Sequence, residues 1–276
     1  MPELPEVQTI ASGLENNIIG KKVSNITISD KKLRLPFPQE IKTVLTDRKI
    51  LGVTRRARYI LINCNNNKSI LVHLGMSGKL IYKTFIPDQA GKHDHFTMRF
   101  SDNSCLIYND PRRFGLIDLV DQDKVNNHKM IKNLGPEPLS EEFNADYLCQ
   151  KLQNKSINIK TAMMDNSIVV GVGNIYINES LFISGISPLT PAKNLKSDKL
   201  EILINNIKNI LNKAIKLGGS TLRDYVNLNG NVGEFQNDFK IYGRQNQECI
   251  SCNSKIKRIK QNGRSSFYCE KCQSVY

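Results

Sequence analysis

The chain has 276 residues, with 39 Lys and Arg against 26 Asp and Glu, a formal net charge of +13. That length supports two domains with real cores. No stretch approaches the roughly 20 apolar residues of a membrane span, and the first residues lack the basic and apolar regions of a secretory signal, so a soluble cytosolic protein is expected. The positive excess favours a polyanionic partner, nucleic acid first and a membrane surface second; three scattered cysteines (Cys64, Cys105, Cys149) and a C-terminal cluster of four argue against a secreted disulfide framework and for a metal site with reduced thiols.

The chain opens Met1-Pro2-Glu3-Leu4-Pro5-Glu6. Met1 precedes a small residue, so its removal is expected, leaving Pro2 with a free secondary amine. An α-amino group titrates near 8, well below the roughly 10.4 of lysine, so a useful fraction is uncharged at neutral pH and able to attack an electrophilic carbon. Glu3 stands beside it, close enough to move protons. Pro5 suits a first helical turn, Glu6 complements the helix dipole there, and Val7, Ile10 and Leu14 recur at helical spacing. Taken alone, the same residues also describe a well-capped N-terminal helix in which Pro2 is incidental.

Short alternating or β-branched runs follow: Val23 to Ile28, Tyr59 to Cys64, Ser69 to Leu74, Leu80 to Lys83, Phe96 to Phe100, Cys105 to Tyr108 and Leu116 to Val120. Turn residues separate them, which predicts a β-sandwich or flattened barrel with the first helix at one edge. Four of the connections are unusual: Arg55-Arg56-Ala57-Arg58, with three guanidiniums close together; His73-Leu74-Gly75-Met76-Ser77-Gly78-Lys79, with Met76 at a hairpin tip; Lys92-His93-Asp94-His95; and Asp110-Pro111-Arg112-Arg113-Phe114-Gly115. Two imidazoles without a third partner do not make a metal site. Met and Phe are commonly core residues and arginine runs are commonly solvated. Together, though, a Met, a Phe and an Arg on loops of a basic protein suit an enzyme that opens a duplex: apolar wedges fill the gap and arginine occupies the vacated hydrogen-bonding positions.

Gly135-Pro136-Glu137-Pro138 reads as a linker, with Ser140 as N-cap of a helix over residues 141–152. Further helices are predicted over residues 159–164, 174–184 and 199–217, the last closed by Gly218-Gly219, with a final turn over residues 221–226 and a mobile Asn/Gly-rich loop over residues 227–238. Gly171-Val172-Gly173-Asn174 precedes one of these helices; two glycines there let backbone N–H groups face an anion, and a plain tight turn is the commoner use of such a pair.

The strongest signal is terminal. Cys249-x-x-Cys252 and Cys269-x-x-Cys272 are separated by sixteen residues, a spacing that suits four thiolates around one tetrahedral zinc ion. The interval alternates as a β-hairpin and Asn262-Gly263 is a type I′ turn signal, so Arg264 sits at the tip of a basic hairpin, able to meet a phosphate. A zinc ribbon of this kind equally serves protein or RNA binding.

With these pieces in place, the chain resembles the bacterial formamidopyrimidine-DNA glycosylases over essentially its whole length. The resemblance rests on Pro-Glu-Leu-Pro-Glu-Val at 2–7, His-Leu-Gly-Met-Ser-Gly at 73–78, Asp-Pro-Arg-Arg-Phe-Gly at 110–115, Gly-Val-Gly-Asn-Ile-Tyr at 171–176 and the four-cysteine hairpin. It implies an α+β fold: a helix-led β-sandwich domain over residues 1–130, a helix–two-turn–helix domain over 131–240 and a zinc finger over 241–276. It also implies a bifunctional glycosylase and abasic-site lyase that removes oxidised purines, such as 8-oxoguanine and formamidopyrimidines, from double-stranded DNA, acting as a monomer with one structural zinc ion.

By the same resemblance, Pro2 attacks C1′, Glu3 protonates the sugar oxygen, and Glu6 and Thr221 belong to the lesion pocket. Met76, Arg112 and Phe114 match the residues that fill the gap left by the base. His73, His93, Arg112, Lys155, Asn174 and Arg264 match DNA-binding positions, Arg264 also being assigned to δ-elimination. Cys249, Cys252, Cys269 and Cys272 are the metal ligands. One position departs from the pattern: Arg58 stands where the family has a lysine that donates a proton in β-elimination. Arginine stays protonated at any relevant pH, so it clamps phosphate well and donates protons poorly. A glycosylase with weakened lyase activity, or a non-catalytic damage-binding protein of the same fold, are the alternatives this leaves.

Overall fold

A computed structural model describes residues 2–222, 225–228 and 230–276. The chain divides into two compact units, Met1–Lys132 with Leu217–Glu234, and Asn133–Lys216 with Phe235–Tyr276.

The first unit begins with helix α1 (Leu4–Ile18), and its start is set by three residues. Glu3 is the N-cap, Pro5 lies in the first turn, and Glu6 reaches back so that its Oε2 accepts the Glu3 N–H at 2.8 Å. This reciprocal capping satisfies backbone donors that a helix end otherwise leaves open. Val7, Ile10, Ala11, Leu14 and Ile18 form the buried face. They pack into one core with two antiparallel sheets. The strands are β1 (Val23–Ile28), β2 (Ile50–Arg56), β3 (Tyr59–Cys64), β4 (Lys68–His73), β5 (Lys79–Lys83), β6 (Asp94–Phe100), β7 (Cys105–Asn109) and β8 (Leu116–Asp121). One sheet has the order β1-β6-β7-β5 and the other β2-β3-β4-β8. Ile60, Ile62, Ile70, Val72 and Ile117 from the second sheet share that core with Ile26, Phe96, Met98, Leu106 and Tyr108 from the first. Burying each such side chain stabilises the fold by about 1.5–3 kcal/mol.

Two elements of this unit go beyond the sequence reading. Strand β2 contains Arg55 and Arg56, which the sequence reading assigned to a turn, and a five-residue helix α2 spans Ile41–Leu45. Arg55 is engaged within the fold, its Nε donating to Gln8 Oε1 of α1 and its Nη1 to the Ala57 carbonyl.

The second unit is helical: α3 (Ala145–Leu152), α4 (Ile159–Met163), α5 (Asn174–Ile183) and α6 (Ser197–Lys216). Helix α3 starts later than predicted. Asn144, not Ser140, is its N-cap, accepting the Tyr147 N–H, while the Ser140 hydroxyl donates to the Glu137 carbonyl in the preceding turn. Of the turn predicted over residues 221–226, residues 223 and 224 lie outside the described residues, and the described ones are not helical. The predicted loop over 227–238 ends in a 3-10 turn, Phe235–Asp238, whose Phe235 is buried with its ring 5.5 Å from that of Tyr176; residue 229 lies outside the described residues.

Strands β9 (Lys257–Gln261) and β10 (Arg264–Tyr268) form the expected hairpin. Both turn residues have positive φ, 45° at Asn262 and 75° at Gly263, as a type I′ turn requires. The segment leading into the hairpin is fixed by Glu179 of α5, whose buried carboxylate accepts the backbone N–H groups of Lys240, Ile241 and Tyr242 at 2.8–3.0 Å.

Candidate active site and nucleic-acid interface

Pro2 and Glu3 are both buried at the mouth of α1. The carboxylate of Glu6 does two jobs there. Its Oε2 holds Glu3, and its Oε1 accepts the Ser220 N–H at 2.7 Å. The start of α1 is thus tied to residues 218–221, where Thr221 Oγ1 donates to the Tyr225 carbonyl and accepts the Gly233 N–H. The Tyr225 hydroxyl donates to the Gly218 carbonyl at 3.0 Å. Glu6 and Thr221, read from the sequence as pocket residues, are both engaged in hydrogen bonds of this segment.

Arg58 occupies the tip of the β2–β3 hairpin. The register pairs Arg56 with Tyr59, leaving Ala57 and Arg58 as a two-residue loop, and Ala57 takes φ 54°. A positive φ at the first loop residue lets so short a loop follow the twist of the strands, and here an alanine accepts the strain. Tyr59 pairs in register with His73 of β4, their rings 4.9 Å apart. Burial, with the guanidiniums of Arg58 and Arg34 nearby, pulls the His73 imidazole down to about 4. The ring is therefore neutral at physiological pH. Its Nδ1 accepts the Gly75 N–H, which places the proton on Nε2, where it is a donor suited to a phosphate oxygen. Arg34, absent from the sequence reading, is thus the second cation beside His73, and its backbone N–H is held by the Gly115 carbonyl at 3.0 Å.

The residues read from the sequence as wedges lie on adjoining loops. Met76 is 42% exposed and Phe114 50% exposed, although both are large and apolar. Their loops are in contact: a Cβ on Gly75 would lie 2.6 Å from the Phe114 carbonyl carbon and the Gly115 nitrogen, so only glycine allows this approach. Arg112 stacks over the Phe114 ring at 4.8 Å. Beneath them Asp110, fully buried, is the anchor: Oδ1 accepts the Ser77 hydroxyl at 2.6 Å and the Arg112 N–H at 3.2 Å, and Oδ2 accepts the Gly115 N–H at 2.9 Å. Its backbone N–H is received by the His93 carbonyl, which brings the predicted His93 to the same loop. His95, its neighbour, turns inward to Ser29 and the Asp110 carbonyl and belongs to the scaffold. Asp110 and Ser77 lie inside two of the sequence motifs, and their signal there is a polar residue close to each exposed apolar one, Phe114 and Met76.

In the second unit Asn174, first residue of α5, donates its side-chain amide to the Ser265 carbonyl at 3.1 Å, beside the exposed Arg264. Those two predicted residues are therefore neighbours in the fold. Lys155 lies on the α3–α4 connection, its N–H donating to Leu152 and its carbonyl accepting from Lys193; among the described hydrogen bonds none joins it to Asn174 or Arg264.

The sulfurs of Cys249, Cys252, Cys269 and Cys272 all lie within 4.8 Å of one another, at 3.8 Å for Cys249 and Cys272 and 3.4 Å for Cys252 and Cys269. A tetrahedral zinc with sulfurs at about 2.3 Å has edges of about 3.8 Å, so the cluster fits the ion. Cys249 and Cys269 also belong to a small apolar core with Phe182, Ile241, Ile256 and Phe267.

The chain thus combines a helix-led pair of sheets bearing basic and apolar loops with a helical unit and a four-thiol hairpin, the parts expected of a DNA-binding enzyme with a zinc finger. Family models agree along the chain: the formamidopyrimidine-DNA glycosylase N-terminal domain over residues 1–117, the H2TH domain of the same enzymes over 134–226, and the zinc finger found in FPG and IleRS over 246–275. Formamidopyrimidine-DNA glycosylases of Wolbachia sp. subsp. Drosophila simulans and of Bartonella quintana are 47% and 44% identical to it, each over 99% of this chain and the whole of the relative. Among solved structures, a Lactococcus lactis FPG variant bound to Fapy-dG DNA superposes with a TM-score of 0.89 at 34% identity, and MutM bound to DNA with carbocyclic 8-oxo-G does so at 0.89 and 35%; both alignments cover 99% of each chain. The chain belongs to the formamidopyrimidine-DNA glycosylase family, enzymes of base excision repair.

Proposed function

We propose that this glycosylase excises oxidised purines through a covalent bond between Pro2 and the deoxyribose. The observation that carries the reading is the N-terminal constellation: Pro2 and Glu3 buried together, with Glu6 bonding both Glu3 and the Ser220 loop. Removal of Met1 frees the Pro2 amine, which attacks C1′ as the glycosidic bond breaks; the base departs with the bonding pair and takes up the proton that the amine loses. Glu3 delivers a proton to the ring oxygen, the sugar opens, and an iminium joins C1′ to nitrogen. That cation acidifies the C2′ proton. Its loss expels the 3′-phosphate, and a second elimination expels the 5′-phosphate.

The remaining residues are assigned by position. His73, with Nε2–H free to donate, and Arg58 bind the phosphate next to the lesion; Asn174, Arg264 and Lys155 bind the backbone from the second unit, and His93 stabilises the Asp110 loop beside it. Met76, Arg112 and Phe114 fill the gap, supported by the exposure of their side chains and the buried anchor beneath. Glu6 and Thr221 shape the lesion pocket. One zinc ion, held by the four cysteines, fixes the hairpin that carries Arg264 and takes no part in the chemistry. The substrate is double-stranded DNA with oxidised purines or abasic sites, and the enzyme works as a cytoplasmic monomer. Arg58 favours a second reading, in which base release is intact and strand cleavage is slowed, because a permanent guanidinium sits where a proton is needed.

Borohydride reduction in the presence of duplexes bearing 8-oxoguanine, an abasic site or undamaged guanine tests the proposal. A stable protein–DNA adduct is expected with the first two and none with the third. Excision of 8-oxoguanine with no trapped adduct contradicts it.

A further inference from the structure

Tyr108 lies wholly within the core of the first unit, yet its side chain ends in a hydroxyl. Strand β7 pairs it with Phe96 of β6 and Leu80 of β5, so the ring is packed among apolar neighbours. The hydroxyl emerges where a strand end and two loops meet. It donates to the His73 carbonyl at 3.1 Å and lies 3.4 Å from Asp110 Oδ2. His73 ends β4 and leads into the loop with Met76, while Asp110 leads into the loop with Arg112 and Phe114. Two glycines leave room for the hydroxyl. A Cβ on Gly115 would overlap it, and one on Gly78 would come within 2.5 Å of it. Neither glycine has a positive φ, so close approach rather than backbone conformation requires them.

A phenylalanine would fill nearly the same volume without taking a hydroxyl out of water, which is unfavourable unless the group finds a partner. Packing alone therefore does not account for a tyrosine here. Its one proton faces two acceptors. Burial, and after it the Asp110 carboxylate, push the phenol well above its ordinary range, so the hydroxyl stays a donor. What the bond achieves follows from its partners. Asp110 and Ser77 join the two wedge loops to each other. The Tyr108 hydroxyl sets that junction against the backbone of His73, the residue whose imidazole Nε2–H is offered to a phosphate.

We propose that Tyr108 is a positioning residue for base extrusion, its hydroxyl holding the loop of Phe114 at a fixed height above the His73 backbone. The inference rests on the wedge and phosphate roles given above. Gap filling and the grip on the phosphate are then kept in one register, and a duplex seated on His73 meets Phe114 already aimed. Without the hydroxyl the Asp110 carboxylate, and the loop it anchors, are free to settle towards the core. A displacement of about 1 Å is enough to cost up to two orders of magnitude in a positioned step.

The test uses the full-length enzyme and a duplex with 8-oxoguanine opposite cytosine, in single turnover at saturating enzyme and well below the melting point of every variant. Tyr108→Phe keeps the ring and removes the hydroxyl, and the excision rate is expected to fall by about tenfold. A double-mutant cycle with Phe114→Ala separates positioning from a general loss of stability. If the hydroxyl acts through the wedge, removing it from a protein that already lacks the Phe114 ring costs little, and the double variant is expected within about twofold of Phe114→Ala alone. Insertion is also read without chemistry. The chain has no tryptophan, so Phe114→Trp gives a single reporter whose fluorescence is quenched by stacking on bases. Adding Tyr108→Phe should slow that quenching by about tenfold on mixing with the duplex. A Tyr108→Phe rate within about twofold of the unaltered enzyme overturns the proposal, as do losses that multiply in the double variant or unchanged quenching. Phe114→Ala is the control for the underlying reading. If it leaves excision unchanged, the wedge reading fails and this inference with it; if it lowers excision and Tyr108→Phe does not, only the present inference fails.

Discussion

His73 and Arg58 stand side by side, and each makes a measurable claim about protons. The His73 imidazole is pulled down to about 4 by burial and by the guanidiniums of Arg58 and Arg34. An unfolded histidine titrates near 6.5, so between those values the unfolded chain binds the extra proton and folding is penalised. The neutral ring is fully compatible with the fold above pH 6.5, and stability is lost as pH falls from there towards 4, by about 3 kcal/mol from this group. Denaturant unfolding of His73→Gln against the unaltered protein should show the variant losing less stability across that window; parallel curves count against a buried neutral ring. For Arg58 the expectation concerns rates. Arg58→Lys restores a group able to give up a proton, so nicking of an abasic duplex should accelerate by about tenfold or more while base release changes little. Equal nicking by both proteins removes the idea. Pro2, Glu3 and Arg58 stand out as candidates in the sequence alone because local chemistry or a motif points to them. Arg34 was not, because its relation to His73 depends on a backbone bond to Gly115, far along the chain.

Among the elements, the two wedge loops behave as one piece because Asp110 bonds both. Asp110→Asn loses acceptor capacity towards Ser77, Arg112 and Gly115, at about 1 kcal/mol or more per weakened bond. Excision from an ordinary duplex should fall by about tenfold or more, and a duplex with no base opposite the lesion, which leaves no partner to hold apart, should recover part of the loss. Equal losses on both substrates indicate general unfolding instead. Gly115→Ala should be harsher, since its Cβ would fall 1.6 Å from the Tyr108 hydroxyl, which bonds the His73 carbonyl. Most strands and helices were readable from periodicity and turn chemistry. The misses have physical causes. In β2 a bulge between Ile50 and Gly52 breaks the alternation and the arginines imitate a loop. Helix α2 has five residues, too few to show a period. The late start of α3 reflects competition between two capping residues, won by Asn144. Asp110 was invisible as an anchor because its hydroxyl partner Ser77 is 33 positions away.

At the scale of the whole molecule, the four-cysteine cluster is the clearest link between composition and architecture. The cysteine spacing was sufficient to read the cluster, whereas the allocation of residues 217–234 to the first unit was not, since it depends on Glu6 meeting Ser220 and Tyr225 across more than two hundred positions. Removing the metal with a chelator, or substituting Cys269→Ser, should loosen the apolar core of Phe182, Ile256 and Phe267 and lower DNA affinity, while the melting of the first unit is less affected. Circular dichroism and binding measured before and after zinc is restored report both.

The central claim is that the imino nitrogen of residue 2 becomes bonded to the sugar. Peptide mapping by tandem mass spectrometry of the borohydride-trapped complex addresses it directly. The account predicts a chain lacking Met1, with the deoxyribose remnant on Pro2. A remnant located on a lysine side chain, or fully active enzyme that still carries Met1, contradicts it.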